Sequence, residues 1–536
     1  MRVIRYAAND VNIGKANEEV VDFLKQHKVN HHLVFEYQLL IEEILIKLVE
    51  KAPMGAEFEI SASFARGHCT FMITCAGAPV DLFYHDSLGS IILDEYSERI
   101  SQNYSKNKNR IKLSTHVSSN SLMINSCVAV LAAVLVSLVF RYIVPDNITL
   151  YLEGQLIFPL MNVFTMLMET FAYPLAFLSI VAYIVSFRMQ IDGNREISNM
   201  AIKHTLTSII GLIIGGAVGS VARFIPEIYD MTEFRTRTNN FMGEDLAEVI
   251  GNAVPSNMVE PFTGSSSLPV LLLAVIFGIA ASSYFGRGGD FIRELISGAA
   301  GLMGTVINIT YSLMPIIVFL AVLSGIIDFG YKILVFLIVT LFAFIFALAL
   351  MVAVQLIILA ASGMGPVRFF KEYRELIIGN FNIASAIDAL SFNKRNLCRK
   401  LDESPQMIRE KLDLGATMDM DGNCVVVAMG IVSLVSVCRM DMGLSDIIGL
   451  LVIILVLSFG APNRPGSFLL CMLLLMNFVG VSTDIGAIII FLELFTSKLC
   501  GFVNVFGNIT AIVADNQNNA RRQKRKRAGA EEELET

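Results

Sequence analysis

Long apolar segments recur from Leu122 onward and limit what this chain can fold into. Each segment is long enough to cross roughly 30 Å of hydrocarbon as a helix. The mean hydropathy of +0.62 and the charged share of 17% also favour a membrane-embedded body over a soluble protein. The segments lie near residues 122–143, 156–187, 199–224, 247–285, 296–324 and 327–362.

The later apolar stretches are interrupted by Gly, Pro, Asn and Asp. They cover residues 415–438, 446–480 and 484–513, whereas residues 366–396 are too polar to span. A broken helix at membrane depth is tolerated where it lines a cavity, because each freed backbone group needs a partner. Paired interrupted segments are typical of transporter binding sites. The pattern therefore predicts a site for a small polar solute in the C-terminal third.

Residues 1–115 differ from the rest and predict a small α/β domain. A helical period covers residues 36–50, and alternating strands follow at 57–64 and 68–75. Because the first long apolar run starts only near Leu122, no signal peptide is predicted, and we expect this domain to lie in the cytoplasm.

Basic clusters flank the apolar body at residues 116–515. By the positive-inside rule they place both termini in the cytoplasm and predict an even number of spans. The tail at 516–536, basic and then acidic, is interpreted as a topology anchor or, alternatively, as a site for anionic membrane lipid. The clusters comprise Lys106, Lys108, Arg110 and Lys112 before the first span, and Arg521, Arg522, Lys524, Arg525, Lys526 and Arg527 after the last.

Several function classes find no support in the sequence. The net charge of -7 predicts no nucleic-acid partner. The eight cysteines have neither CxxC pairs nor metal-ligand spacing, and no Ser-His-Asp set or Walker loop is apparent. We therefore predict that the chain is not an enzyme, is not driven by ATP and has no organic cofactor.

Two acidic residues, Asp419 and Asp421, lie deep in an apolar run. Each intramembrane carboxylate costs on the order of 2.5–3.5 kcal/mol. Residues two apart point about 200° apart on a helix, so a break at Gly415 or Gly422 is predicted to aim both at one site. Carboxylates and unwound carbonyls form an oxygen cage suited to sodium. The alternative is pairing with a lysine, but no intramembrane lysine lies in the adjacent sequence.

The last span carries a polar stripe. Its members are four, three, four and four residues apart, which places them on one helix face. Such a stripe faces water or the protein interior, and the alternative interpretation is an interhelical hydrogen-bond seam. The stripe consists of Glu493, Ser497, Cys500, Asn504 and Asn508.

Several motifs occur together and in a fixed order. They are PLMNVFTMLMETFAYPLAF at 159–177, LTS at 206–208, PSN at 255–257 with IFGIA at 276–280, GATMDMDG at 415–422, LSFGAPNRPG at 457–466, and the segment from Asn504 to Asn508. This set resembles the dicarboxylate/amino acid:cation symporters, the glutamate transporter homologues, over the length from the first span to Ala514.

The resemblance implies an all-α membrane fold of eight transmembrane helices plus two re-entrant helical hairpins, beside the small N-terminal α/β domain. It implies a homotrimer of the bacterial inner membrane, with a scaffold and a transport domain. The implied activity is symport of a small carboxylate, such as a dicarboxylate, or an amino acid with Na+ by an elevator motion. Proton coupling (H+) and a passive anion pathway are alternatives.

The resemblance also carries three cation sites onto this sequence. The family usually has Asn at the position of Asp419, and many members have Asp at that of Asn508. If both positions face the same ion, the site keeps one carboxylate but carries it at residue 419 instead of 508. His204 replaces a tyrosine of many members and is either a packing residue or a proton carrier. The sites are Thr207, Ser208, Asp419 and Asp421; Gly415, Asp419, Asn504 and Asn508; and, mostly through backbone carbonyls, Thr417, Ser458, Phe459 and Ala461.

The substrate positions depart further from the family. Ser497 is typical of dicarboxylate carriers, whereas Cys500 replaces the arginine that grips a side-chain carboxylate, as in neutral amino acid carriers. Arg464 is a candidate replacement cation and Asp388 a candidate partner for an ammonium group; alternatively, both are exposed tip residues or a gate ion pair. The substrate is left open. The implied positions are Ser385, Asp388, Asn423, Arg464, Ser497, Cys500 and Asn504.

Within the N-terminal domain, residues 37–52 and the segment ITCAGAP at 73–79 resemble the ATP-binding fold of histidine kinases and anti-sigma kinases. Lys47 stands where that family has a magnesium-binding Asn, and Cys75 where it has the Asp that reads adenine. We therefore expect no phosphotransfer and interpret the domain as regulatory or, alternatively, as a nucleotide sensor. Together with the altered substrate site, it leaves a transporter-derived ligand sensor as the alternative function.

Overall fold

The computed structural model of the chain describes most residues, and it separates into two compact units, Met1–Ile124 and Asn125–Thr536. The described residues are 2–27, 31–53, 55–65, 68–80, 82, 93, 100–105, 108–116, 120–191, 195–221, 251, 254–263, 268–284, 287–330, 332–383, 386, 389–438, 440, 444–461, 466–479, 481 and 486–535.

The N-terminal unit contains a five-stranded antiparallel sheet in the order β1-β2-β3-β5-β4. Ile4, Ile60, Ile73 and Ile111 lie opposite one another across four strands and are all buried. Alternation of inward and outward side chains places this row on one face of the sheet, and other elements must pack on that face to bury it. The strands are β1 Arg2–Ala7, β2 Glu57–Ala65, β3 His68–Ala76, β4 Ile100–Ser105 and β5 Lys108–His116.

Two helices, α1 Asp10–Gln26 and α2 His31–Glu50, cover that face and complete one apolar core. The side chain of Asn9 caps α1 by accepting a hydrogen bond from the N–H of Asn12 at 3.0 Å. The predicted helix at 36–50 and strands at 57–64 and 68–75 are present, each somewhat longer than expected. Lys47 and Cys75, the two altered positions, are buried.

In the described part of the second unit, the extended secondary-structure elements are all helices. A π-helical turn, Glu153–Ile157, joins α4 to α5. The helices are α3 Asn120–Tyr142, α4 Asp146–Leu152, α5 Phe158–Ile191, α6 Arg195–Ser220, α7 Glu260–Thr263, α8 Leu268–Ser283, α9 Arg287–Tyr311, α10 Met314–Phe329, α11 Lys332–Ala361, α12 Pro366–Glu372, α13 Arg374–Ile383, α14 Leu390–Cys398, α15 Pro405–Met418, α16 Asp421–Val437, α17 Leu444–Gly460, α18 Ser467–Val479 and α19 Gly486–Glu535.

By length and composition, six helices in the described ranges can cross a membrane, or seven if a pair bent by 53° counts as one span. The expected eight full spans are therefore not all present as single long helices there. Apolar helices α8, α17 and α18 have 16, 17 and 13 residues, fewer than the 20 or so that hydrocarbon requires. Residues 222–250, which include parts of two predicted apolar segments, lie outside the description.

The candidate span Pro405–Val437 is the most enclosed, with 83% of its most apolar stretch buried, against 17% for Ile124–Tyr142. Its second half, α16, packs closely along α6. Gly211, Gly215 and Gly219 of α6 face backbone carbonyls of α16, and a Cβ at Gly211 would lie 2.9 Å from the carbonyl oxygen of Asp421. Three glycines one turn apart thus allow the two backbones to approach, as small residues do in membrane helix pairs.

Candidate functional site

The candidate site surrounds a break between α15 and α16. Helix α15 ends at Met418, the backbone of Asp419 leaves helical geometry with φ -78° and ψ 86°, and α16 begins at Asp421. A break was expected at Gly415 or Gly422, and that position is wrong: Gly415 lies in the last turn of α15 and Gly422 in the first turn of α16. The interruption gives Asp419 and Asp421 the freedom to share one region, which a continuous helix would prevent.

Asp421 is buried and receives two neutral hydrogen-bond donors. The Oγ of Ser208 donates to its Oδ1 at 2.9 Å, and the Nε2 of Gln355 donates to its Oδ2 at 2.9 Å. Ser208 comes from α6 and Gln355 from α11, so three helices meet at this carboxylate. Thr207 is half-buried, and its hydroxyl donates to the carbonyl of His204 at 3.0 Å. Neutral donors stabilise a carboxylate without supplying a compensating charge.

Asp419 is fully buried, and among the described residues its oxygens accept no hydrogen bond of ordinary geometry; the N–H and carboxyl groups of Asp421 lie close to them. The nearest recorded basic group is Nδ1 of His204, 3.3 Å from Oδ2. Helix α19 approaches from the other side: a Cβ at Gly507 would lie 2.5 Å from the same oxygen. A buried carboxylate with unused lone pairs is costly unless a cation or proton satisfies it.

The polar stripe of α19 lies against the break. Asn504 accepts a hydrogen bond on Oδ1 from the backbone N–H of Gly422 at 2.7 Å, and Asn508 donates Nδ2 to the carbonyl of Leu412 at 3.1 Å. The Oδ1 of Asn508 lacks a donor among the described residues. A Cβ at Gly415 would overlap the amide of Asn508, so glycine allows this approach. Of the second predicted cation site, Gly415 and Asn508 are therefore in contact, and Asn504 bonds to the first turn of α16.

No described Lys or Arg forms an ion pair with Asp419 or Asp421. The lysine nearest to these acids in sequence, Lys411 of α15, is fully buried in the same candidate span. Its Nζ pairs instead with Glu403 at 2.8 Å and Asp515 at 2.9 Å. The alternative that the two acids merely pair with a lysine thus finds no such lysine in the described structure.

The residues of the third predicted cation site lie on two elements. Thr417 belongs to α15, and its hydroxyl donates to the carbonyl of Leu414 at 2.8 Å. Ser458 of α17 is fully buried with no hydrogen-bond partner in the described part of the chain. Phe459 stacks on Tyr183 with ring centroids 5.4 Å apart, and Ala461 follows the end of α17. Among the described residues, no hydrogen bond joins Thr417 to this group.

Three of the predicted substrate positions, Ser385, Asp388 and Arg464, lie outside the described residues. Asn423 is buried on α16 with both amide atoms lacking partners among the residues described. On α19, Cys500 is buried and Ser497 is half-buried. The described polar groups are therefore neutral at these positions.

Glu493, at the start of the polar stripe, holds the beginning of α18. Its Oε1 accepts from the N–H of Gly466 at 2.7 Å and its Oε2 from that of Leu469 at 2.8 Å. The hydroxyl of Tyr311, at the end of α9, donates to Oε1 at 3.4 Å. A carboxylate at these N–H groups satisfies donors that have no partner inside the helix, so Glu493 links α18, α19 and α9.

Sequence reasoning missed Gln355, Lys411 and Tyr311. Gln355 carries the single amide side chain in the thirty residues of α11, and an amide in so apolar a helix is a signal that it bonds to something inside the protein. Lys411 gives the same signal within α15. Tyr311 gives none, because its partner follows it by 182 residues.

The donor set around the break suits a hard cation. The buried oxygens without a hydrogen-bond partner among the described residues include those of Asp419, Asn508, Ser458, Asn423 and Gln355. Carboxylate, amide, hydroxyl and carbonyl oxygens are ligands for hard cations rather than for soft metals. No group of three or more His, Cys, Asp or Glu side chains positioned to hold a metal occurs among the described residues.

Comparison with known proteins matches residues 122–517 to the sodium:dicarboxylate symporter family. The chain is 25% identical over 395 residues to the C4-dicarboxylate transport protein of Pseudomonas savastanoi pv. phaseolicola, covering 72% of this chain and 84% of the relative. It is 26% identical over 379 residues to that of Deinococcus radiodurans, covering 68% and 84%. It is 24% identical over 399 residues to that of Rhodospirillum rubrum, covering 72% and 86%. With its apolar helices and this match over most of its length, the chain is a membrane protein that belongs to the sodium:dicarboxylate symporter family, a family of transporters rather than enzymes.

Proposed function

We propose that the chain is a secondary active transporter that carries a small carboxylate across the membrane together with sodium. The observation that carries the proposal is the break at Asp419 and Met420, where two fully buried carboxylates meet no Lys or Arg partner in the described structure. A dissolved cation that binds there and leaves on the other side supplies the missing charge reversibly. Its transmembrane gradient then drives the solute.

The cation positions proposed are those predicted from the sequence. Asp421 with Ser208 and Thr207 forms one group, and Asp419 with Asn508, Asn504 and Gly415 forms another. The third group comprises Thr417, Ser458, Phe459 and Ala461. The unused lone pairs at Asp419, Asn508 and Ser458 support this assignment. Proton coupling through His204 is the alternative, because its Nδ1 lies 3.3 Å from Asp419.

A C4-dicarboxylate is the first substrate to test, because the named relatives carry it. Asn423, Ser497, Cys500 and Asn504 are proposed to line the site, with Ser385, Asp388 and Arg464 completing it. Coupling requires that closure of the site lower the free energy only when cation and solute are both bound. An elevator motion of a transport domain within a homotrimer, in the inner membrane and with both termini cytoplasmic, belongs to the same proposal. The proposal also includes a regulatory role for the domain at 1–115 and a cytoplasmic location for the tail at 516–536.

Counterflow into proteoliposomes tests the function. Labelled succinate and aspartate are offered to vesicles preloaded with unlabelled solute, in sodium or in choline, and we expect exchange in sodium alone. Ligand-dependent thermal stabilisation without any exchange would make the chain a sensor, and exchange that ignores sodium but follows pH would make it proton-coupled.

Asp421→Asn is the decisive variant, and Asp413→Asn its matched control. Both replace an aspartate in the same broken span, but Asp413 is 40% exposed and pairs with Arg409 at the surface. Sodium should raise the melting temperature of the wild type and of Asp413→Asn, since a ligand that binds the folded state stabilises it. Sodium-dependent stabilisation that persists in Asp421→Asn would reject the cation site.

A further inference from the structure

The outer face of the N-terminal sheet carries an uncovered row of positive charge. Helices α1 and α2 pack on the opposite face, and strand alternation places Lys108, Arg110 and Lys112 of β5 together on the outer one. All three side chains are exposed. At a rise of about 3.4 Å per residue, neighbouring cations are about 7 Å apart along the strand. We name these three residues the basic face.

The neighbours of the basic face are neutral. Lys112 lies between Met72 and Ser101, and Arg110 lies between Thr74 and Asn103, on the two adjacent strands. These side chains are short or flexible and leave the cations accessible, and Met72 is itself 38% exposed. The row is thus open to a ligand that approaches from outside the sheet.

The acids of the same sheet surface do not neutralise the basic face. Glu57 and Glu59 belong to β2, which is separated from β5 by the whole of β3. Glu59 accepts a hydrogen bond from Arg5 at 2.9 Å, so its charge is already paired. No ion pair between the basic face and an acid is recorded for the residues that the structure describes.

The position of β5 in the chain suggests the source of the complementary charge. Strand β5 ends at His116, helix α3 begins at Asn120, and the first candidate span begins at Ile124. The basic face is therefore carried by the last element before the bilayer. A short covalent link keeps it at a high effective concentration of lipid headgroups, so individually weak charge contacts suffice for binding.

We propose that the basic face is a docking surface for the anionic phospholipid headgroups of the membrane in which the chain is embedded. Phosphate oxygens accept from the two ammonium groups as point charges and from the guanidinium of Arg110 in a bidentate manner. Exposed Met72 offers an apolar contact beside them. This proposal does not depend on the proposed transport function.

Amine footprinting of the full chain in lipid nanodiscs tests the proposal. The protein is acylated in discs of phosphatidylcholine with and without phosphatidylglycerol, and the modification rate of each lysine is read by mass spectrometry. We expect Lys108 and Lys112 to react about threefold more slowly in the anionic discs, and high salt to remove the difference. Lys15, Lys25 and Lys51 are exposed on the helical side and serve as internal controls.

Arg110→Gln is the matched variant, because it removes the central charge and leaves both reporting lysines in place. It should reduce the protection of Lys108 and Lys112, whereas Lys15→Gln should leave that protection unchanged. Equal rates in neutral and anionic discs would overturn the proposal, as would equal slowing of the three control lysines. Protection by soluble glycerol phosphate in neutral discs would assign the surface to a free phosphate ester instead of lipid.

Discussion

Lys411 and Asp515 form a buried ion pair, 2.9 Å between Nζ and Oδ2, that joins α15 to α19. The same Nζ lies 2.8 Å from Oε1 of Glu403, and Lys203 of α6 reaches the other oxygen of Asp515 at 2.9 Å. Helix α15 leads directly into the break, and α19 carries Asn504 and Asn508, which contact the break from the other side. The charged cluster therefore holds together the helices whose spacing determines the cation site.

Lys411→Met is expected to destabilise the folded protein by about 3–5 kcal/mol, the cost of leaving buried acids without one partner. The control, Arg409→Gln, removes a cation two residues away whose pair with Asp413 is half-exposed, and should cost about 0–1 kcal/mol. Thermal unfolding in detergent measures both. Equal losses would mean that the cluster contributes no more than a surface pair.

Gly507→Ala is expected to weaken sodium-dependent stabilisation. The added Cβ would lie 2.5 Å from both Oδ2 of Asp419 and Nε2 of Gln355, so at least one of these side chains must move. Gly216→Ala on α6 has no atom within 4 Å of the added Cβ and is the control. Sodium titration of the melting temperature should show a lower apparent affinity for Gly507→Ala alone. Unchanged affinity would show that Asp419 need not keep its position.

The existence of the site was predictable because charge in an apolar run is costly and needs a reason. Asp419 and Asp421 are such charges in an apolar run. The spacing of Glu493, Asn504 and Asn508 placed the side chains of these three residues on one helix face. The position of the break was not predictable from the glycines. Gly415 and Gly422 serve close packing against Asn508 and Asn504 rather than unwinding, and a Gly allows either role.

The residues that bond to the site could not be predicted from sequence periodicity. Gln355 bonds to Asp421 across 66 residues and Lys411 to Asp515 across 104, and no local pattern encodes which distant segments meet. The lengths of the individual helices were also beyond hydropathy. Hydropathy shows that the segments around α8, α17 and α18 are apolar, but it does not show that the helices described there have 16, 17 and 13 residues.

Glu493→Gln is expected to cost more stability than Tyr311→Phe. The amide of Gln offers one acceptor oxygen where the carboxylate offers two, so a buried N–H of Gly466 or Leu469 loses its partner at about 1–3 kcal/mol. The Tyr311 bond is long, 3.4 Å, and its loss should cost about 0.5–1.5 kcal/mol. Thermal unfolding of the two variants gives the order, and the reverse order would show that Glu493 matters mainly through Tyr311.

The exchange of a carboxylate between Asp419 and Asn508 gives the sharpest test of the cation site. Asp419→Asn alone removes the charge and should abolish most of the sodium-dependent rise in melting temperature. Adding Asn508→Asp returns one carboxylate to the same group, because Asn508 is adjacent to Gly507, whose Cβ would touch Asp419. The double variant should therefore show more sodium dependence than the summed effects of the two single substitutions would give. If the double variant is no better than Asp419→Asn, the two side chains do not share an ion.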